Sequence, residues 1–239
     1  MNDFLPSASL KSLAKGQLLG KYGTAVGAYA LHMACVTAAS FGAFFLIDTS
    51  SIIGTVIYYA AAFIISLLSG LFVCGEAYIY LKIACNQKAS ISDLFHGFQN
   101  MPNKILQVQA VLAAISLVCS LPNMLLPYFL NHPDNSLLFL LMTVLIIFTG
   151  IVNIILTLTF SQCYYLMLDF PQYSAKELLL MSKKVMTGSK GRLFYIQLSF
   201  LPLMLLSTCT CCLAFLLLGS YMQATQANFY LDLMKKRRG

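Results

Sequence analysis

The sequence predicts an all-α membrane protein, a polytopic bundle of transmembrane helices, on two observations. First, 59% of the 239 residues are hydrophobic and only 10% are charged, whereas soluble domains contain about 25% charged residues. Second, several long stretches contain no Asp, Glu, Lys or Arg, and one membrane-spanning helix needs about 20 such residues. The uncharged stretches are residues 22–47, 51–75, 105–130, 136–168 and 193–231.

The first four stretches each predict one span, and the last predicts two, so we expect about six. With six spans and a cytoplasmic N-terminus, all 15 basic residues lie on the cytoplasmic side, including the C-terminal "KKRRG", as the positive-inside rule requires. Residues 1–9 contain Asp3 and no basic n-region, and the first stretch begins only at Tyr22, so we expect it to stay as a span rather than to be cleaved. The predicted spans are 22–47, 51–82, 104–130, 136–169, 193–211 and 212–233, with a basic tail at 234–239.

The single membrane domain, 1–239, also contains three amphipathic segments, at 7–21, 90–99 and 174–189. In the third, Ser174 and Glu177 form an S-x-x-E capping box, which predicts a helix start, and Gly188 predicts its end. Ser90 and Asp93 form an acidic variant of this box in the second segment. A stripe in the third segment, which we expect to face the membrane, consists of Leu178, Met181, Ser182 and Val185.

Several motifs carry a family resemblance. They are "LAKGQLLGKYGTAV" at 13–26, "SDLFHGFQNMPNK" at 92–104, "YYLMLDFP" at 164–171, "MTGSKGRLFYIQLSFLP" at 186–202 and "ANFYLDL" at 227–233. In these motifs the chain resembles a family of bacterial integral membrane proteins known as domain of unknown function 975. The resemblance covers nearly the whole chain and implies about six spans in a bacterial cytoplasmic membrane. It implies no reaction, so no catalytic residue follows from it.

The net charge of +7 is carried by residues next to the predicted spans. This position favours anionic phospholipid over nucleic acid as the partner, because basic juxtamembrane residues are attracted to anionic lipid. We therefore expect a basic cytoplasmic face that binds anionic lipid or docks a membrane partner, such as a transport ATPase or an envelope-assembly protein. Besides the tail, the residues expected to carry this binding are Lys176, Lys183, Lys184, Lys190 and Arg192.

Polar residues inside the predicted spans suggest an alternative, a small transporter or permease-like protein with an intramembrane polar path. Glu76 is the strongest candidate, because ionisable groups at membrane depth are costly and commonly functional. The path would require His32 and Asn153 to converge with it around a cavity. The interpretation we favour places Glu76 at the headgroup level, paired with Lys82 or with a basic connector residue. His32 and Asn153 would then form ordinary hydrogen bonds between helices.

The sequence contains no common enzyme signature, neither H-E-x-x-H nor G-x-S-x-G nor a phosphate-binding G-x-x-x-x-G-K-[ST]. We expect no catalytic residue, no cofactor and no metal. Among the eight cysteines, Cys209, Cys211 and Cys212 cluster in "CTCC" but have no His or paired carboxylate beside them. Their small size predicts close helix packing, while an intramembrane enzyme that uses the cluster is a third interpretation.

Overall fold

The structure, a computed structural model, describes residues 4–49, 51–130, 136–208 and 213–238. All regular structure in these residues is helical, so the prediction of an all-α fold is confirmed. A short 3-10 helix at Ile91–Phe95 precedes α4. The α-helices are α1 (Ser7–Leu18), α2 (Tyr22–Leu46), α3 (Ile52–Ala84), α4 (His96–Asn100), α5 (Pro102–Leu130), α6 (Ser136–Phe160), α7 (Cys163–Asp169), α8 (Ala175–Met186), α9 (Lys190–Leu198), α10 (Leu201–Thr208) and α11 (Leu213–Arg238).

Four helical segments in the described part of the chain are long and apolar enough to cross a membrane. They are Tyr22–Leu46, Ile53–Ala84, Pro102–Pro122 and Phe139–Asp169, the last of which combines α6 and α7. These segments lie within or close to the first four predicted spans. Their surfaces expose large apolar side chains such as Phe45, Leu145 and Ile147. Extensive exposed apolar surface of this kind marks a membrane-facing protein.

The segment predicted as span five, 193–211, is not one continuous helix. The chain turns at Ser199 and Phe200, and the described part of this segment is divided between α9 and α10. The described part of α10 stops at Thr208, so the crossing at 193–211 stays a prediction.

The segment predicted as span six, 212–233, falls in α11, which is 26 residues long. This helix is not among the four apolar segments found in the described residues, because it carries polar side chains such as Ser220, Thr225 and Asn228. These three are buried against other helices. The helix continues to Arg238, so the predicted basic tail is helical up to that residue. The count of six spans stays a prediction.

The predicted helix signals of the connectors are present. The backbone N–H of Ser174 donates to Glu177 Oε2 at 2.8 Å, and α8 begins at the next residue. The backbone N–H of Ser90 donates to Asp93 Oδ2 at 2.9 Å and starts the 3-10 helix in the same way. Gly188 has a φ of 81°, a left-handed conformation that suits glycine at a helix end.

The apolar stripe of α8 faces the protein and not the membrane. Leu178, Ser182 and Val185 are buried, and α8 packs against α5, α6 and α7. The Ser182 hydroxyl donates to the carbonyl of Thr159 at 2.8 Å. Our expectation of a membrane-facing stripe is wrong, because an amphipathic sequence shows that one face is buried but does not show against what.

The buried core lies towards one end of the bundle, where Leu10 and Leu18 of α1 are fully buried and α1 packs on α11. Residues distant in sequence are bonded at this end: Lys21 Nζ donates to Asn86 Oδ1 at 3.0 Å, and Lys104 Nζ donates to the Pro171 carbonyl. We call this region the basic end, because every Lys and Arg of the chain falls within its four stretches. The stretches are residues 5–21, 82–104, 169–192 and 232–238.

Candidate functional site

The acidic residues of the basic end are held by intramolecular bonds. Lys82 Nζ lies 3.0 Å from Asp93 Oδ2, Arg192 Nη2 lies 2.6 Å from Asp232 Oδ2, and Tyr230 Oη donates to Asp169 Oδ2 at 2.5 Å. Partial burial raises the pKa of Asp93, but hydrogen bonds from Ser90 and Lys82 outweigh this and hold the pKa below its ordinary value. The Ser174 backbone N–H likewise lowers the pKa of Glu177. These carboxylates are therefore engaged within the chain.

Three of the predicted binding lysines are exposed on one helix. Lys176, Lys183 and Lys184 lie outside the buried stripe of α8, about 110–170° around the helix from its centre at 100° per residue. Lys190, at the start of α9, is half-buried. The outer face of α8 therefore presents positive charge to whatever lies beside the basic end.

Arg192, the fifth predicted binding residue, is used inside the protein. Its Nη2 atom donates to the Leu5 carbonyl at 2.6 Å as well as to Asp232 at 2.6 Å. Its guanidinium also lies 4.5 Å from the ring centre of Phe4. These contacts join the N-terminal segment, the start of α9 and the end of α11. We therefore separate Arg192 from the exposed lysines and assign it a structural role.

His32 and Glu76 form a buried pair between α2 and α3. His32 Nδ1 lies 2.9 Å from Glu76 Oε1, and the other ring nitrogen lies 3.2 Å from Ser69 Oγ. The His32 ring stacks on Phe72 with centroids 5.4 Å apart. Only 4% of His32 and 2% of Glu76 are exposed. Within the described residues, Glu76 Oε2 is buried without a hydrogen-bond partner.

The expected environment of Glu76 is wrong in two respects. The carboxylate is enclosed by protein and not placed among headgroups, and its partner is His32 and not Lys82, which pairs with Asp93. Both differences arise because the packing of α2 on α3 brings together residues that are 44 positions apart. For His32, the hydrogen bonds to α3 correspond to the structural role that we favoured.

Asn153 does not join the His32–Glu76 pair. It lies in α6 and lines a cavity of about 320 Å³ whose described lining includes neither His32 nor Glu76. On α3 the cavity touches Ser66, Val73 and Ala77. Ser69, Phe72 and Glu76 lie about 90° around the same helix. The three residues of the proposed polar path therefore do not converge.

The cavity is lined by uncharged polar groups contributed by five amide side chains, two tyrosines and several hydroxyls. Gln109 donates to the Ser66 carbonyl at 3.0 Å and accepts from the Tyr164 hydroxyl. The amide residues are Gln109, Asn153, Gln197, Gln223 and Gln226. An arrangement of this kind can hydrogen-bond a neutral polar guest or water.

Sequence reasoning missed this grouping. Asn153 is predicted on its own to make a hydrogen bond between helices, and no motif in the sequence groups the four glutamines with it. A common signal is present in hindsight, since each is an amide in an uncharged segment. Their convergence depends on the relative rotation of α5, α6, α9 and α11, which sequence periodicity does not provide.

The "CTCC" cluster of Cys209, Cys211 and Cys212 lies outside the described residues. Cys74 and Cys163 are buried free thiols. Considering only residues 4–49, 51–130, 136–208 and 213–238, no group of three His, Cys, Asp or Glu side chains is close enough to hold a metal ion. No cofactor site can be assigned from this arrangement.

Comparison with known proteins gives one match. A family model described as "Protein of unknown function (DUF975)" matches residues 1–237. No curated protein and no solved structure matches the chain.

Proposed function

Because the chain belongs to the DUF975 family, whose description names no activity, we propose a function from the residues themselves. The protein is a non-enzymatic integral membrane protein whose basic end binds anionic lipid headgroups. The observation that carries the proposal is the contrast at this end between engaged carboxylates and exposed lysines. Lys176 and Lys183 are exposed on α8, whereas Asp93 and Asp232 are bonded within the chain.

The strength expected of this interaction follows from lipid electrostatics. A Lys or Arg close to an anionic membrane surface contributes about 1 kcal/mol to binding. The exposed lysines of α8 together supply enough attraction to select anionic lipid over zwitterionic lipid. Positive charge near the spans also favours the cytoplasmic side, so we place the basic end and both termini in the cytoplasm of a bacterial cell.

The test is lipid selectivity in a reconstituted bilayer. Lys176, Lys183, Lys184 and Lys190 are changed together to Gln, while Arg192 is kept because it bonds to Asp232. Electron spin resonance of spin-labelled phosphatidylglycerol and phosphatidylcholine measures how many of each lipid the protein immobilises. We expect the preference for phosphatidylglycerol to fall by about fivefold or more, the factor that corresponds to about 1 kcal/mol.

A matched variant with Arg at the same four positions keeps the charge and should keep the preference. Raising the salt concentration should weaken the preference in the native protein, since exposed charges are screened. An unchanged preference in the Gln variant would refute lipid binding by this face. If the Gln variant loses a co-purifying membrane protein while its own lipid preference is unchanged, this would show that α8 docks a partner instead.

A second candidate function, a small permease-like protein, is favoured by the cavity of about 320 Å³ lined by amides. Its polar path consists of the cavity residues and not of the His32–Glu76 pair.

Transport requires the cavity to be reached by water. In a protein without native cysteines, Ala113→Cys, which lines the cavity, should react with a charged, membrane-impermeant thiol reagent. Val118→Cys, an exposed apolar position of α5 outside the cavity lining, should not. Failure of Ala113→Cys to react from either side would exclude the path.

A further inference from the structure

A groove is formed by α10 and α11 together with the end of α1 and the start of α2. Its volume is about 550 Å³, within the range of about 300–1,000 Å³ common to ligand pockets. Its walls are almost entirely apolar. The lining residues on α10 and α11 are Leu203, Leu206, Ser207, Ala214, Leu217, Leu218 and Tyr221.

The rest of the groove lining consists of one charged residue of the basic end and one tyrosine next to it. Lys15, in the last turn of α1, and Tyr22, at the start of α2, contribute to the lining. Lys15 is exposed. The neighbouring Lys11 differs, because its ammonium donates to the Ser199 carbonyl at 3.2 Å and lies 4.0 Å from the ring centre of Phe200. Lys15 therefore supplies an accessible positive charge beside an apolar channel.

We propose that this groove binds one anionic phospholipid, with its phosphate at Lys15 and an acyl chain along α10 and α11. The occupant follows from charge complementarity and from the apolar walls. An acyl chain covers Leu206 and Leu217, which are 64% and 51% exposed. An anionic headgroup neutralises Lys15, while Tyr22 offers the amphipathic ring that is favoured at a membrane interface. The site rests on the proposed anionic-lipid binding but is separate from the lysines of α8.

The absence of tryptophan from the sequence permits a local test. Leu206→Trp and Leu217→Trp, made one at a time, each place a single fluorophore in the groove at an exposed position. A third variant, Ile147→Trp, places it on an exposed apolar surface of α6, outside the groove. Each protein is reconstituted with phosphatidylglycerol or phosphatidylcholine brominated on the acyl chains, which quenches tryptophan on contact.

We expect both groove reporters to show roughly fivefold preference for brominated phosphatidylglycerol, the factor that one lysine near the surface provides. Ile147→Trp should show a clearly smaller preference. Adding Lys15→Gln should lower the preference at the groove to that of Ile147→Trp, whereas Lys15→Arg should retain it. Ala214→Phe, which fills the groove, should reduce quenching of Leu217→Trp by either lipid.

The outcomes separate this site from the general function. Equal quenching by the two lipids at Leu206→Trp and Leu217→Trp would overturn the groove proposal, even if the α8 lysines still govern overall selectivity. The groove proposal also fails if changing the α8 lysines abolishes the groove preference and Lys15→Gln does not. A preference that depends on Lys15, together with unchanged overall selectivity in the α8 variant, supports the groove and refutes lipid binding by the α8 lysines.

Discussion

At the scale of single residues, a carboxylate inside a membrane protein is costly unless another group compensates it. In this chain the partner of Glu76 is His32, which is held on its other side by Ser69 and stacked on Phe72. Every one of these partners comes from α2 or α3. The pair therefore joins two long helices through side chains that are buried from water.

We predict that Glu76→Leu and His32→Leu each destabilise the protein by about 3 kcal/mol, because each leaves one buried polar group without its partner. The double variant should lose clearly less stability than the sum of the losses in the two single variants. Thermal unfolding in detergent can be followed with a thiol-reactive dye in a variant that keeps only Cys74 and Cys163, since these two thiols are buried and react only when the protein opens.

Ser69→Ala provides the control for this cycle. It removes only the hydroxyl near the second ring nitrogen and should cost about 1 kcal/mol. Strict additivity of the two Leu variants would show that His32 and Glu76 do not stabilise each other.

At the scale of elements, the close approach of α3 to the 3-10 helix depends on a glycine. A Cβ atom added at Gly75 would lie 1.8 Å from the backbone carbonyl oxygen of Leu94. The contacted atom belongs to the backbone, and Leu94 is fully buried. The contact therefore cannot be relieved by moving a flexible side chain. The second connector is thus positioned by contact with α3 as well as by its own capping residues.

Gly75→Ala should therefore lower the free energy of unfolding by about 1–3 kcal/mol, the usual cost of overpacking. Gly42→Ala is the matched control, because this position in α2 has open space around it. There the substitution should be neutral or stabilising, since Ala favours helices over Gly. Equal unfolding temperatures for the two variants would show that the connector can move away from α3 at little cost.

At the scale of the whole molecule, the number of membrane crossings is set by α9, α10 and α11. Four segments of the described residues are long and apolar enough to be spans. The last three helices differ from them, because a chain turn separates α9 from α10 and because α11 buries polar side chains. Six crossings place the "CTCC" cluster outside the cell. Four crossings leave it on the same side as the basic end.

We predict six crossings, so that Cys209, Cys211 and Cys212 react with a membrane-impermeant maleimide added to intact cells. The experiment uses a variant in which the other five cysteines are replaced. A companion variant that keeps only Cys85, an exposed residue of the basic end, should react only after the membrane is permeabilised. Labelling of the cluster only after permeabilisation would reduce the number of crossings to four.

Local features of this protein were predictable because they depend on neighbours in sequence. The starts of α8 and of the 3-10 helix follow from Ser174 with Glu177 and from Ser90 with Asp93, pairs three residues apart. The break at Ser199 and Phe200 lies just before Pro202, which lacks the N–H of a continuous helix. Because Pro also occurs in ordinary spans, the sequence did not decide between a break and a continuous span. The roles of Arg192 and Glu76 were missed because their partners, Asp232 and His32, lie 40 and 44 positions away.

The sequence alone determined that the chain is helical and apolar enough to enter a membrane, and that its positive charges lie at the ends of the apolar segments. These properties follow from composition and from the 3.6-residue period of the helix, which act locally. Only the tertiary structure decided what the apolar face of α8 packs against, which carboxylates are bonded within the chain, and that five amides share one cavity. Each of these depends on how the helices rotate against one another, because that rotation selects which side chains meet.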